Sequence, residues 1–191
     1  KRAKLALLAV LTVALVASLA GVALAAVPPS GGWTDLSYSI VGKYGITLEQ
    51  VGMISDGYTD GSWRPWNNIP RNQFTKMAVD AYKIPLKNPA TPSFSDVPAS
   101  DIYYQYIEGA KAVGLINGVG GGKFAPDATI TREQAAAIIV RWVAQKNGYD
   151  PATMYSDAEA ASILAVFPDG ASVSSSLKKE IAFAVDFGVI W

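Results

Sequence analysis

The stretch Trp33-Thr34-Asp35-Leu36 opens a pattern that closes with Ile69-Pro70-Arg71-Asn72-Gln73 and then recurs 61 residues later. The second copy begins at Phe94-Ser95-Asp96-Val97 and ends at Ile130-Thr131-Arg132-Glu133-Gln134, and the two copies align without a gap. A third copy begins at Phe167-Pro168-Asp169 and follows the second after one inserted residue. The chain is therefore built from repeats.

Repetition at a fixed period is typical of supersecondary units that cannot each bury a full core and must pack on one another. We predict repeat 1 (33–84), repeat 2 (94–146) and repeat 3 (155–191), the last ending before its glycine loop. Each repeat is expected to be a helix, a loop and a second helix. The predicted fold class is all-α, with the functional site at the seams between repeats.

The first helix of repeat 2 is predicted from apolar residues that follow a period near 3.6, from Ile102 to a stop at Gly114. In repeat 1 the matching helix is expected near residues 46–54. The loop 117–127 contains four glycines within five residues, which allow positive φ, and Pro126 restricts the backbone after them. No segment alternates clearly enough to predict a strand.

The second helix of repeat 2 has a recognisable start. Thr131 with Gln134 three residues later predicts a capping box and a helix from about Arg132 to Lys146. The register then predicts the matching helix of repeat 1 over about 71–82, and a further short helix is expected at 157–164.

The N-terminal segment is basic at its start and then apolar from Leu5 to Val27. Small residues occupy the outer positions of Ala23-Leu24-Ala25, which predicts a signal peptide over residues 1–25 and a linker over 26–32. The alternative is an uncleaved apolar helix that anchors the chain in a membrane, because the run matches the roughly 20 residues that span a bilayer. The chain lacks an initiator Met and ends within repeat 3, so we expect it to be a fragment of a longer reading frame.

Charge and composition exclude several functions. Without the three leader cations, 13 basic and 16 acidic residues remain, which is no signature of nucleic-acid binding. Cysteine and histidine are absent, which excludes disulfides, the usual serine and cysteine proteases and zinc hydrolases within this stretch. Asp56 and Asp60 lack calcium-loop spacing, and no Gly-Lys-Ser/Thr follows the triple glycine at 120–122. We expect no catalytic residues, no metal and no cofactor.

Repeat 2 carries a combination of motifs in a fixed order: Phe94-Ser95-Asp96-Val97, Tyr103-Tyr104-Gln105-Tyr106-Ile107, Gly114-Leu115-Ile116-Asn117-Gly118, Phe124-Ala125-Pro126 and Ile130-Thr131-Arg132-Glu133. This combination resembles the S-layer homology (SLH) domain, and the resemblance covers nearly everything after Gly32. Repeat 1 departs from the family pattern, since Pro70-Arg71-Asn72 replaces Thr-Arg-Glu. The resemblance implies a pseudo-threefold helical bundle with grooves between its motifs.

The resemblance also implies a function and a site. SLH motifs anchor exported proteins non-covalently to the cell envelope, and their grooves hold a secondary cell-wall polysaccharide that commonly bears a pyruvate ketal. By this resemblance the arginines would meet the ligand carboxylate, and two glycines would let the sugar approach the backbone. The implied glycan-binding residues are Arg71, Arg132, Gly57, Gly118, Asp35, Asp96, Thr131 and Glu133.

Some of these residues also have a purely structural interpretation. Arg132 at a helix start opposes the helix dipole, which favours an acidic ligand or partner, although an internal salt bridge with Asp96 or Glu133 is the alternative. Asp35 and Asp96, with Asp169 in repeat 3, would then cap the first helix of each repeat or brace an arginine. Most of the aromatic residues would lie in the core, with one or two at a groove rim.

Three functions remain open at this point. The leading one is an exported, noncatalytic module at the cell surface whose partner is a cell-wall polysaccharide or a peptidoglycan-linked polymer. In the second, the chain is the anchor region of a surface-displayed glycan hydrolase whose catalytic domain lies elsewhere. In the third, a retained N-terminal segment tethers a structural envelope protein to the membrane.

Overall fold

The computed structural model describes residues 32–190, so the predicted leader lies outside the described residues. Between these limits the helices are α1 (Tyr38–Gly42), α2 (Leu48–Gly52), α3 (Arg71–Tyr82), α4 (Tyr104–Ala112), α5 (Arg132–Lys146), α6 (Pro151–Met154), α7 (Asp157–Leu164) and α8 (Lys178–Asp186), with a 3-10 turn at Gly170–Ser172. Residues 32–190 form isolated bridges but no strand. The predicted all-α class is confirmed. Every helix in this range is too short or too polar to cross a bilayer.

The second helices of repeats 1 and 2 form where the sequence predicts them. The Thr131 hydroxyl accepts a hydrogen bond from the Gln134 N–H at 3.2 Å, and the Gln134 side chain accepts one from the Thr131 N–H at 3.2 Å. This reciprocal capping box fixes the start of α5. Pro70 precedes α3 and supplies no side-chain cap, but its φ of −65° suits a helix start.

The first helices differ from the prediction. In repeat 2, α4 begins only at Tyr104, after a turn in which the Asp101 carboxylate accepts a hydrogen bond from the Tyr103 N–H at 2.7 Å. Ile102 therefore lies outside the helix, and it is 81% exposed rather than part of an apolar face. In repeat 1, two short helices, α1 and α2, replace the single helix expected near residues 46–54.

The hydrophobic core is shared across the seams. One cluster joins Val79 of α3 to Ile107 and Phe124 of repeat 2. Another joins Val140 of α5 to Phe183 of α8. Because both clusters draw on neighbouring repeats, the repeats depend on one another for their packing.

The linker between repeats 1 and 2 lies against α4. The buried Glu108 carboxylate accepts hydrogen bonds from the Ser93 N–H at 2.7 Å and the Ser93 hydroxyl at 2.6 Å. A Cβ on Gly109 would lie 2.7 Å from the Pro85 carbonyl oxygen, so the close approach requires glycine there. The linker thereby fixes how repeat 2 is placed after repeat 1.

Candidate functional site

The glycine loop of repeat 2 is held by the carboxylate of Asp96. Its two oxygens accept hydrogen bonds from the N–H groups of Phe124 and Ala125, each at 2.8 Å. Ala125 has a φ of 56°, a left-handed conformation that costs energy for a residue with a Cβ. Desolvation acts to raise the pKa of Asp96, but these hydrogen bonds outweigh it, and the pKa lies below its ordinary value.

The same arrangement occurs 61 residues earlier. The Asp35 carboxylate accepts hydrogen bonds from the N–H groups of Trp63 at 2.6 Å and Arg64 at 2.8 Å, and the φ of Arg64 is 60°. Asp35 and Asp96 therefore hold loops, rather than capping a first helix or bracing an arginine as expected. Asp169 also makes no side-chain cap, although it precedes the 3-10 turn.

Gly57 and Gly118 are required by packing within their loops. A Cβ on Gly118 would lie 2.5 Å from the Lys123 carbonyl oxygen and 2.9 Å from the Phe94 ring. A Cβ on Gly57 would lie 2.8 Å from the Ser62 carbonyl oxygen. Both glycines also line cavities, so their backbone is accessible from a groove.

Arg71 is buried, with 6% of its surface exposed. Its guanidinium donates hydrogen bonds to the Phe124 carbonyl oxygen at 2.9 Å, the Gln134 side-chain oxygen at 3.0 Å and the Asn117 carbonyl oxygen at 3.1 Å. Three donors of this guanidinium are therefore used within the protein, and its contact with a glycan stays a prediction. None of the three acceptors is a carboxylate, so its charge is not neutralised by a hydrogen-bonded acid.

A cavity of about 460 Å³ lies between repeats 2 and 3, and we call it the arginine groove. Its walls come from all three repeats and include Arg71, Gly118, Glu133, Gln134, Arg141, Ser174 and Leu177. Burial lowers the pKa of Arg71, and the nearby charge of Arg141 lowers it further, while Asp96 acts in the opposite direction. The two guanidinium groups thus repel each other at one groove.

Arg141 was not among the sequence-predicted site residues. It donates hydrogen bonds to the Leu115 carbonyl oxygen at 3.3 Å and to Glu180 at 3.1 Å, and its side chain is 13% exposed. One feature of the sequence could have identified Arg141 as a candidate site residue. Arg141 lies on α5 two turns after Gln134, on the face that meets the glycine loop, whereas the matching residue of repeat 1 is Asp80.

Arg132 lies at a different cavity of about 250 Å³, which it lines with Thr131 and apolar residues of repeat 3. Arg132 is exposed, and within residues 32–190 it has no ion-pair partner. The alternative salt bridges do not form, since Asp96 holds its loop and the Glu133 carboxylate accepts hydrogen bonds from the N–H and hydroxyl of Ser174. The predicted arginines therefore line two separate cavities, and Glu133 lines both.

Gly57 lines a third cavity of about 430 Å³ between repeats 1 and 2, which we call the aromatic groove. Its walls include Trp63, Tyr103 and Tyr106 as well as Lys76 and Asn67. Part of this lining is fixed by the Trp63 indole, which donates a hydrogen bond to the Ser55 hydroxyl at 3.1 Å. The described part of the chain holds no group of three or more acidic residues placed to bind a metal ion.

The chain is similar in sequence to several known proteins. The profile of the S-layer homology domain matches residues 93–136. Over 137 residues the chain is 34% identical to Exoglucanase XynX of Acetivibrio thermocellus, a match that covers 72% of this chain and 12% of that protein. It is 27% identical over 144 residues to the Surface-layer 125 kDa protein of Lysinibacillus sphaericus, covering 75% of this chain and 11% of that one.

A third relative is Cell surface glycoprotein 1 of Acetivibrio thermocellus, which is 31% identical over 100 residues, or 49% of this chain and 4% of that protein. The chain thus spans about a tenth or less of the curated relatives that it matches. The S-layer homology domain is a noncatalytic anchoring module whose partner is a polymer of the cell wall. The chain therefore carries an S-layer homology domain at residues 93–136, and this domain together with the relatives indicates an exported location at the cell surface or cell wall.

Proposed function

We propose that the chain anchors its parent protein by binding a secondary cell-wall polysaccharide in the grooves between its repeats, and that the recognised substituent is anionic, as a pyruvate ketal is. The observation that carries this proposal is the arginine groove, where Arg71 and Arg141 both line one cavity of about 460 Å³. A carboxylate bound there would relieve the repulsion between the two cations. Guanidinium groups bind carboxylates with planar, charge-assisted hydrogen bonds.

The charges around this groove support an anionic ligand. Glu180 accepts a hydrogen bond from Arg141, and the Glu133 carboxylate accepts hydrogen bonds from Ser174. The acceptors of Arg71 are two backbone carbonyl oxygens and one side-chain amide oxygen. A buried charge without an acidic partner is costly, and a ligand anion would reduce that cost. Gly118 lines the same cavity and is exposed, so a sugar that enters the cavity can reach its backbone.

The remaining predicted site residues take different parts in this proposal. Arg132 and Thr131 lie at the neighbouring cavity and would contact the next sugar residues of the polymer. Asp35 and Asp96 act indirectly, by holding the loops that carry Gly57 and Gly118. Single sites of this kind are weak, and several sites on one polymer gain affinity through effective concentration. The mechanism is binding alone, without a catalytic step.

The test is co-sedimentation of the chain with purified cell-wall sacculi before and after removal of their secondary polymer. We expect binding only when the polymer is present. The affinity for sacculi should fall about tenfold in Arg141→Gln and by less in Arg132→Ala. Lys43→Ala removes an exposed cation outside all three cavities and should bind like the wild type. If folded protein stays in the supernatant with every preparation, wall anchoring is wrong.

A second candidate is the display of an attached glycan hydrolase. It is favoured by the 34% identity to a protein named an exoglucanase, of which the matched segment is 12%. In this case the chain would hold a separate catalytic region at the wall and contribute no residues to its chemistry. The test is whether hydrolase activity of the parent protein sediments with sacculi and is released by Arg141→Gln without a change in its catalytic rate.

A further inference from the structure

The arginine groove and the aromatic groove occupy equivalent places in the repeat pattern but differ in charge. Position 141 on α5 corresponds to position 80 on α3, so Asp80 replaces Arg141. Position 137 corresponds to position 76, so Lys76 replaces Ala137. Where Arg141 lines the arginine groove, the equivalent helix of the aromatic groove contributes Lys76, which is paired with Asp80.

The cations of the aromatic groove are all paired with acids. The Lys76 ammonium lies 2.8 Å from Asp80 and 3.2 Å from Asp56. The Arg64 guanidinium lies 2.8 Å from the carboxylate of Asp60, which is four residues earlier in the same loop. A ligand carboxylate in this groove would have to compete with three acids for two cations, so the charges disfavour an anion.

The uncharged surface of this groove suits a sugar. Trp63, Tyr103 and Tyr106 line it with partly buried aromatic rings, and the Lys76 ammonium lies 5.5 Å from the centre of the Tyr106 ring. The side-chain amides of Asn67 and Gln73 offer both donors and acceptors. A pocket that combines aromatic walls with a few polar groups is typical of small-ligand sites. Sugar hydroxyls match amides, and the C–H face of a pyranose ring matches an aromatic ring.

The rim adds apolar surface that the fold does not use. Ile102 lines the groove and is 81% exposed, because α4 begins only after it. Trp66 follows Pro65 in the loop that lines the groove and is 74% exposed. One large exposed apolar side chain thus lines the groove, and a second directly follows a lining residue in the sequence.

We propose that the aromatic groove binds an uncharged sugar residue, while the arginine groove binds the charged residue of the same polymer. This proposal rests on the function proposed above and assigns a different ligand chemistry to each groove. The aromatic contribution to binding is insensitive to salt, whereas the arginine contribution weakens as ionic strength rises.

The test uses the full chain and the purified secondary polymer, before and after chemical removal of its carboxylate-bearing substituents, in calorimetric titrations. We expect the neutral polymer to bind the wild type and Arg141→Gln alike, with an affinity unchanged between low and high salt. Tyr106→Ala and Ile102→Ala should each weaken binding of the neutral polymer by about fivefold. Ile102 is exposed, so this variant keeps its fold. Val166→Ala shortens an equally exposed aliphatic side chain outside the groove and should have no effect.

The outcomes separate the two proposals. If the untreated polymer does not bind the wild type, the proposed anchoring function fails. If the untreated polymer binds and the neutral polymer does not, anchoring stands and the neutral-sugar assignment is overturned. The assignment is also overturned if the neutral polymer binds but loses affinity in Arg141→Gln and not in Tyr106→Ala or Ile102→Ala.

Discussion

The Nε of Arg71 donates a hydrogen bond to the carbonyl oxygen of Phe124 at 2.9 Å, and the same guanidinium lies 4.6 Å from the centre of the Phe124 ring. An arginine at the start of the second helix of repeat 1 is thereby inserted into the glycine loop of repeat 2. Arg132 occupies the matching position 61 residues later and is exposed. The two arginines at equivalent repeat positions therefore differ in environment: Arg71 is buried between repeats, and Arg132 is exposed at the surface.

Arg71→Ala is expected to destabilise the fold strongly. The substitution leaves the carbonyl oxygens of Phe124 and Asn117 without their charged donor, and we expect a loss of about 3 kcal/mol in the free energy of unfolding. Urea titration of the full chain measures this change. Arg132→Ala is the matched control and should change stability by less than about 0.5 kcal/mol. Equal effects of the two substitutions would contradict the difference in burial.

Asp96 should make stability depend on pH in the acidic range. Its folded-state pKa lies below the ordinary value of 3.8, so its contribution is fully present above that value and is lost as the pH falls through the folded-state pKa. We expect the wild type to lose more unfolding free energy than Asp96→Asn between pH 6 and about pH 3. Parallel thermal melts at several pH values measure this. Identical acid profiles for both proteins would show that the loop contacts do not stabilise the carboxylate.

Thr131→Ala tests the capping box of α5. Removing the hydroxyl leaves the Gln134 N–H without its acceptor, and we expect a loss of about 1 kcal/mol in unfolding free energy. Thr131→Ser keeps a hydroxyl acceptor and should retain most of the wild-type unfolding free energy. Thr129→Ala changes an exposed threonine two residues earlier and serves as the control. A loss of the same size in the control would assign the effect to the loop rather than to the cap.

Glu133→Gln should loosen the docking of repeat 3. An amide can replace only one of the two acceptor oxygens that hold the N–H and hydroxyl of Ser174. We expect amide hydrogen exchange around Ser174 to become about fivefold faster, which corresponds to about 1 kcal/mol. Ser175→Ala alters an exposed neighbour and should leave the exchange rates unchanged. Unchanged exchange in Glu133→Gln would mean that packing alone holds this seam.

Gly118→Ala tests the close packing of the glycine loop. The new methyl group would lie 2.5 Å from the Lys123 carbonyl oxygen, so the loop must shift, and we expect a loss of about 2 kcal/mol. Gly42→Ala adds a methyl group in open space at the end of α1 and should gain about 0.5 kcal/mol. Urea titration compares the two. A stable Gly118→Ala variant would show that the loop has more freedom than its contacts indicate.

The second helices could be predicted from the sequence because their signals are local. The capping box of Thr131 and Gln134 and the apolar run after it lie within one segment, and α5 begins and ends where they indicate. The start of α4 was missed because the side chain of Asp101 closes a turn that the apolar period does not reveal. Ile102 fits the period and is nevertheless outside the helix.

The site could be predicted only in part, because its geometry depends on contacts between distant residues. The burial of Arg71 follows from acceptors 46, 53 and 63 residues away, which no local pattern encodes. Arg141 lies in the middle of a helix, where an arginine ordinarily belongs to a solvated face. Only the fold brings it to the same cavity as Arg71 and Gly118.

Residues of all three repeats line the arginine groove, and this limits what a family match can identify. The segment that matches the S-layer homology profile, 93–136, contains Gly118 and Glu133 but ends before Arg141. It also lacks Arg71 and Ser174, which come from the neighbouring repeats. A protein that received this segment alone would contain the recognisable motif but would lack the cavity. In this chain the cavity requires a set of adjacent repeats.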